Sequence, residues 1–329
     1  MTTNDLLLSV CVMTYNRIVT LKQAVHSILQ DIGGDGRAEL VICDNASDDG
    51  TMEYCTDLVA DYQCVRYVRN RDNLGFDGNV VTCLKQAHGR FVSLFSDDDI
   101  ALPGTFMRIL TELEQVNPTV LYLNHYTFQS DDLRRRDRSK LPSHDKLYDD
   151  GREFFLFVGL GFLSALTVKT SVARRYLVAA RMGHHEAHLD VVSRMCLLEN
   201  GPFLYVGSVA VAARAPMTWR PEWLRGCAIE VAKFYHGLAD EALLDVPMVT
   251  KRVRSSISND LLRLVLADKC LGDDRERRAV RRELISVYGR YWEFWALVAP
   301  VLVIPRMLLR PPYLLTRFVL RRFRQLRVR

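Results

Sequence analysis

Three consecutive acids, Asp97-Asp98-Asp99, close the apolar run Arg90–Phe95. Carboxylates held side by side repel one another, and the arrangement is costly unless solvent or a cation offsets it. Two carboxylates converging on one point suit Mg²⁺ or Mn²⁺, ions that keep some water and share their shell with substrate phosphates. A solvated turn with a helix cap before Pro103 would use the same residues. The other polar clusters bear on that choice. Thr14-Tyr15-Asn16-Arg17 ends the apolar run Leu7–Met13. Asp44-Asn45-Ala46-Ser47-Asp48-Asp49-Gly50-Thr51 follows Glu39–Cys43. Its glycine is misplaced for a calcium loop and no Glu closes it. It is either a turn with a helix cap, or a place where Asp44 accepts hydrogen bonds from a base or ribose. Asn73-Leu74-Gly75-Phe76-Asp77-Gly78-Asn79 precedes a helical stretch. Glycine there permits close backbone approach and a helix N-terminus favours an anion. The run is neither GxGxxG nor a P-loop, and a plain turn would look the same. His184-His185-Glu186-Ala187-His188-Leu189-Asp190 is not HExxH, because Leu189 stands four residues after His185. A zinc protease is thereby excluded.

The elements between these clusters alternate. Strands are predicted at Leu7–Met13, Glu39–Cys43, Val65–Val68, Arg90–Phe95 and Val120–Leu123. Helices are predicted at Thr20–Gln30, Thr51–Ala60, Asp77–Gln86 and from Pro103 to about Gln115. Such alternation implies an α/β fold, a doubly wound and mostly parallel sheet covered on both faces. Ligands bind such sheets beyond the carboxyl ends of the strands, and three polar clusters lie at such ends. Gln129–Asp150 reads as a charged surface insertion and Phe154–Val168 as an apolar stretch. Helical stretches near Thr170–Ala180 and Glu186–Leu198 precede short strands at Phe203–Val206 and Val209–Ala213. After Pro221 the pattern is helical to about Trp292.

The chain has 329 residues and a formal charge of +5, with eight arginines and no acids from Arg306 onward. Without that tail, 36 basic residues face 39 acidic ones. A near-neutral body argues against a nucleic-acid binder, which spreads basic residues over a face. The eight cysteines show no CxxC pair, and most fit buried free thiols in a reducing compartment. No signal peptide is expected from the start MTTNDLLLSVCVMTYNR. Phe294–Pro305 is apolar but shorter than the ~20 residues of a typical span. Beyond Pro312, Leu315, Val319, Phe323 and Leu326 share one helical face, and Arg317, Arg321 and Arg324 lie on another. An apolar stripe flanked by arginines fits a helix lying on an anionic cytoplasmic leaflet. A core-packed or dimer-forming helix is the other use.

In order and spacing, the clusters at Leu8–Arg17, Asp44–Thr51, Arg69-Asn70 with Asn73–Asn79, Gly89–Phe91 and Ser96–Asp99 resemble family 2 glycosyltransferases. Within that family they resemble the abequosyltransferase-type enzymes of bacterial surface-polysaccharide assembly. The resemblance is strong over about residues 6–125, looser over Gly161–Arg220, and absent beyond. It implies a GT-A-type nucleotide-sugar fold with a helical C-terminal extension. It further implies a catalytic domain over 1–220, with a nucleotide-sugar half near 1–127 and an acceptor half near 151–220. A helical extension over 221–292 and a membrane-associating tail over 293–329 would follow. The implied donor is a nucleoside-diphosphate sugar, and the implied acceptor a saccharide on a polyprenyl diphosphate. The implied place is the inner face of a bacterial membrane, peripherally attached on the cytoplasmic side.

The resemblance also implies roles. Thr14, Asn16 and Arg17 line the nucleotide pocket, and Asp44 contacts the base. Asn73 and Asn79 shape the donor site. Asp97 and Asp98 face the ribose or donor sugar, and Asp99 with Asp97 holds Mn²⁺ or Mg²⁺ on the diphosphate. An inverting reaction requires a general base on the acceptor side. Many family members carry a Glu-Asp pair near Asp190. Here that pair is missing, leaving Asp190, His188 and Glu186, with Asp190 preferred. An i,i+4 ion pair with Arg194 on a solvated helix face is the structural alternative for Asp190. The family's Gln-x-x-Arg-Trp motif is also missing, and Thr218-Trp219-Arg220 echoes it only approximately. Transfer to polyprenyl phosphate itself, or a non-catalytic membrane-attached scaffold, are the rival readings.

Overall fold

A computed structural model describes residues 6–128, 133, 137, 139, 141–159, 161–177, 187–215, 224–271 and 277–313. The chain divides into two compact units, Met1–Ala215 and Pro216–Arg329. The first holds strands β1 (Leu8–Thr14), β2 (Ala38–Asp44), β3 (Val65–Arg69), β4 (Phe91–Ser96), β5 (Ile100–Ala101), β6 (Val120–Phe128), β7 (Lys146–Tyr148), β8 (Leu166–Lys169) and β9 (Phe203–Arg214). Its helices are α1 (Ile18–Ile32), α2 (Thr51–Asp61), α3 (Gly75–Gln86), α4 (Thr105–Val116), α5 (Gly151–Val158), α6 (Thr170–Tyr176) and α7 (Ala187–Leu198).

The strands form one mixed, mostly parallel sheet in the order β3-β2-β1-β4-β8-β6-β9-β5, with β7 paired to β9. Every residue of β1 and β2 is buried. A strand covered on both faces needs such near-continuous apolar sequence rather than alternation. Helices α1 and α4 cover it with the stripes Leu21, Val25, Ile28, Ile32 and Phe106, Ile109, Leu110, Leu113. Each such side chain contributes about 1.5–3 kcal/mol on burial.

Topology decides where the polar ends fall. β1 pairs in parallel with both β2 and β4, and β2 with β3. The carboxyl ends of these four strands therefore share one edge. β8 runs antiparallel to β4 and β6, so its beginning lies at that edge. β6 and β9, parallel to each other, end there. Strand order reverses about β1, and such reversals open a ligand crevice.

The apolar stretch Phe154–Val168 contains most of α5, a 3₁₀ turn at Leu163–Ala165 and the start of β8. Asp150 starts α5 by accepting from the backbone N–H groups of Arg152 and Glu153, a capping geometry. The two short strands after Phe203 are one bulged strand, because pairing with β6 steps from Leu123↔Val206 to Asn124↔Val209. Asn124 Nδ2 fills the bulge by donating to the Gly207 carbonyl at 2.7 Å. A Cβ on Gly207 would lie 2.3 Å from the His144 carbonyl oxygen, so only glycine fits. β5 and β7, both unforeseen, exist through their pairing with β9.

The second unit is helical among its described residues. A π-helical turn at Arg225–Glu230 runs into Val231–Asp240, and Val246–Ser256 continues through a π turn at Ile257–Leu261 into Leu262–Leu271. Phe234, Leu238, Ile257, Leu284, Tyr288 and Phe294 form buried positions of this unit. No single helix among the described residues is long and apolar enough to cross a membrane. Phe294–Val303 and Arg306–Tyr313 form an apolar pair bent by 105°. The amphipathic tail positions Leu315 to Leu326 lie outside the described residues. All eight cysteines are free, with Cys227 exposed and Cys64 partly so.

Candidate active site

The loop after β1 is stitched to the loop after β2. Asn16 adopts a left-handed backbone, φ 51°, a conformation that asparagine tolerates better than most residues. Its N–H donates to Ser47 Oγ at 2.9 Å, and its Oδ1 accepts from the Asp48 N–H at 2.8 Å. Asp49 serves two helices, accepting from the Ile18 N–H at the start of α1 and from the Thr51 hydroxyl at the start of α2. A carboxylate at a helix N-terminus also complements the dipole there.

Asp44 is fully buried. Its carboxylate accepts from the Ser47 N–H, the Tyr67 hydroxyl at 2.6 Å and Arg69 Nη1 at 2.8 Å. Burial and the Asp44 acceptor push the Tyr67 phenol well above its ordinary value. Asn45 is a hub beside it: Nδ2 donates to Asn73 Oδ1 and to the Gly75 carbonyl, while Oδ1 accepts from Asn70 Nδ2 and the Leu74 N–H. Asn79 extends this network, donating to the Cys43 carbonyl and accepting from Asn70. Asn73 is thus held at the exposed rim and Asn79 in the buried floor.

The acid triplet meets both ends of the unit. Arg17 Nη1 lies 3.2 Å from Asp97 Oδ1 and 2.9 Å from Asp98 Oδ2. The Thr14 hydroxyl also faces Asp97. Asp99 accepts from Ser164 Oγ at 2.6 Å and from the Arg214 N–H at 2.9 Å. Ser164 Oγ in turn accepts from the Ser96 N–H at 2.9 Å. Arg214 Nε donates to the Asp98 carbonyl at 2.9 Å, and its guanidinium lies over the Phe128 ring at 4.8 Å. Burial, which Arg17 only partly offsets, pushes Asp97 up to about 6. Burial and the Asp98 charge push Asp99 up to about 7.

These residues fit a divalent cation of one kind. Among the described residues no group of three or more His, Cys, Asp or Glu is arranged to hold a metal. Asp97 and Asp99 supply hard carboxylate oxygens whose charged forms burial disfavours. A cation relieves that penalty. One or two carboxylates, completed by phosphate oxygens and water, is the mode that suits Mg²⁺ and Mn²⁺.

The base candidates sit at the start of α7. The Ala187 N–H donates to Asp77 Oδ1 at 3.0 Å, tying α7 to α3. The His188 ring meets Phe76 edge-on at 5.7 Å. His188 is buried, and Asp190 is fully so. Asp190 therefore does not lie on a solvated helix face. Glu186 and Thr218–Arg220 lie outside the described residues. Ser164, Arg214 and Asn45 were not foreseen as site residues. Arg214 carries the one signal that could have been used, a charge closing an apolar strand.

The profile of Glycosyl transferase family 2 matches residues 9–169. Abequosyltransferase RfbV of Salmonella typhimurium is 32% identical over 178 residues, 50% of this chain and 53% of that protein. The GalNAc(5)-diNAcBac-PP-undecaprenol beta-1,3-glucosyltransferase of Campylobacter jejuni is 33% identical over 33% of this chain and 35% of its own length. The chain thus spans about half or less of the length of these relatives. Among solved structures, S. aureus TarS residues 1-349 superimposes with a TM-score of 0.62 at 15% identity, covering 87% of this chain and 82% of that one. The mannosyltransferase PcManGT of Pyrobaculum calidifontis, solved with GDP-Man and Mn²⁺, gives 0.54 at 13% identity over 90% and 84%. These neighbours establish a GT-A-type fold. Residues 9–169, just under half of the chain, are thus similar to Glycosyl transferase family 2.

Proposed function

We propose that the protein is a metal-assisted, inverting glycosyltransferase. It moves a sugar from a nucleoside-diphosphate donor to a lipid-linked saccharide in surface-polysaccharide synthesis. The observation that carries this reading is the acid triplet at the strand-order reversal, its Asp97 and Asp99 buried and its flanks held by Arg17 and Arg214. A pocket that concentrates carboxylates and guanidiniums at one strand edge suits a cation and a diphosphate together. Support for the donor class comes from PcManGT, whose structure holds GDP-Man and Mn²⁺. Support for the acceptor class comes from the Campylobacter relative, named for a PP-undecaprenol substrate.

In this reading Thr14, Asn16 and Arg17 wall the nucleotide pocket. Asp44, expected to contact the base itself, is fully buried and bonded to Tyr67 and Arg69, so in this reading it sets the base end through those two side chains. Asn73 and Asn79 shape the donor loop, Asp97 and Asp98 face the ribose or sugar, and Asp99 with Asp97 would hold Mn²⁺ or Mg²⁺. The bound metal supplies charge neutralisation on the leaving diphosphate. Asp190 takes the proton from the acceptor hydroxyl as that oxygen bonds to the anomeric carbon and the bond to the diphosphate breaks on the opposite face. His188 is the second candidate for that proton.

Attachment is peripheral, at the inner face of the membrane. Trp292, Trp295, Val303, Met307 and Leu308 are exposed in the second unit. Trp292 precedes the 293–329 tail and the other four lie within it, alongside arginines that suit anionic lipid. The test is transfer of label from nucleotide sugars to a lipid-linked saccharide extract. Transfer abolished by EDTA and by Asp99→Ala supports the reading. Label appearing on polyprenyl phosphate alone would shift the acceptor. Full activity in EDTA would refute metal assistance.

A further inference from the structure

We infer that Arg17 is the internal counter-ion of the acid triplet, which donor and metal must displace together. The inference rests on the triplet being the metal–diphosphate site. A single nitrogen, Arg17 Nη1, bridges Asp97 Oδ1 and Asp98 Oδ2 at 3.2 and 2.9 Å. Arg17 thereby occupies an oxygen of Asp97, one of the two carboxylates that would hold the metal. Nothing about the fold requires the guanidinium to remain there. The Arg17 carbonyl starts α1 by accepting from the Leu21 N–H at 2.9 Å. The adjacent Ile18 N–H is capped from the β2 loop by Asp49. Helix α1 therefore begins without help from the Arg17 side chain, which is 42% exposed.

Arg214 is built differently. Its main chain holds Asp99, its Nε holds the Asp98 carbonyl, and its guanidinium stacks on Phe128. It fixes the loop, whereas Arg17 meets only side-chain charge in that loop.

The charge balance gives the consequence. Of the two arginines, Arg17 sets its guanidinium against triplet carboxylates, whereas Arg214 reaches Asp99 through its main chain and the Asp98 carbonyl through Nε. A divalent cation entering alone displaces or repels Arg17 and leaves it without a partner. A cation entering with a diphosphate supplies Arg17 with new phosphate oxygens, to which guanidinium binds in bidentate fashion. Metal and nucleotide should therefore bind cooperatively, with Arg17 carrying the coupling. Couplings of this kind are typically about 5- to 150-fold.

The experiment measures Mn²⁺ binding by electron paramagnetic resonance of free Mn²⁺. Wild type, Arg17→Gln and Arg17→Lys are titrated with and without UDP, GDP, CDP or dTDP, their folding confirmed by far-ultraviolet circular dichroism. Wild type should bind Mn²⁺ weakly alone and about fivefold or more tightly with the right nucleotide. Arg17→Gln should bind Mn²⁺ alone more tightly than wild type, bind nucleotide more weakly, and lose the coupling. Arg17→Lys should lie between, since an ammonium is a point charge that bridges two carboxylates less well. Unchanged or weaker Mn²⁺ affinity in folded Arg17→Gln overturns the counter-ion role while leaving the site intact. No Mn²⁺ binding by wild type with any of the four nucleotides overturns the site itself, and this inference with it.

Discussion

Ser164→Ala removes one hydroxyl that does two jobs in a fully buried place. Ser164 Oγ donates to Asp99 at 2.6 Å and accepts from the Ser96 N–H at 2.9 Å. A hydrogen bond to a charged group is worth about 1.5–3 kcal/mol, and one between neutral groups about 1 kcal/mol. Loss of the Asp99 contact should therefore cost about 2 kcal/mol when the carboxylate is charged and about 1 kcal/mol when it is neutral. That difference equals a further rise of roughly one pKa unit for Asp99. The Ser96 N–H left buried without its acceptor adds about 1–3 kcal/mol at either pH. The sign of the pH effect follows from Asp99 already standing at about 7 against an ordinary 3.8. An acid raised by folding costs nothing below its unfolded value, and that cost grows as pH rises through the folded value. The variant's higher value steepens the loss, so its deficit should be about 1 kcal/mol larger at pH 8.5 than at pH 5.5. Urea unfolding followed by far-ultraviolet circular dichroism measures this. All four tryptophans lie at or beyond Trp219, so fluorescence reports on the second unit and should show an unchanged transition. A deficit that is the same at both pH values would refute the charged Ser164–Asp99 contact.

Further outcomes follow from the same structure. Asp190→Asn should lower kcat by about 100-fold or more with donor affinity unchanged, as loss of a general base does; near-normal turnover would pass the role to His188. Gly89→Ala should destabilise the sheet unit by several kcal/mol or prevent its folding. An added Cβ there would stand 2.6 Å from the Ser9 nitrogen and 2.7 Å from the Leu8 carbonyl carbon, and overpacking a rigid backbone is costly. Replacing Trp292, Trp295, Met307 and Leu308 with serine should weaken flotation with anionic vesicles and leave binding of soluble nucleotide unchanged. Flotation equal to wild type would leave membrane contact to the apolar and arginine positions from Leu315 onward.

What the sequence made legible depended on how locally each feature is encoded. β1, β2 and β4 were readable because a doubly covered strand must be apolar throughout, and because each run stops abruptly at Thr14, Asp44 or Ser96. The acid triplet was readable for the same reason. β5 and β7 are two and three residues long and are defined only by β9 beside them. No local pattern marks them. Arg214 and Ser164 reach Asp99 across 115 and 65 residues of chain, so their place depends on sheet order. Asp150 was a missed local signal: an N-cap acid with Glu153 three residues later marks the start of α5, as in a capping box. Asn45 reads as part of a polar turn, and its role as a hub appears only once β2, the loop after β3 and α3 are brought together.

The central claim is that the acid triplet binds a metal with a nucleoside diphosphate. Thermal unfolding of the full chain with Mn²⁺ across a panel of nucleotide sugars tests it most directly. One donor should raise the melting temperature by about 5 °C or more at saturating concentration, and EDTA or Asp99→Ala should remove the rise. Absence of any shift across the panel, or a shift of equal size in EDTA and in Asp99→Ala, would contradict it.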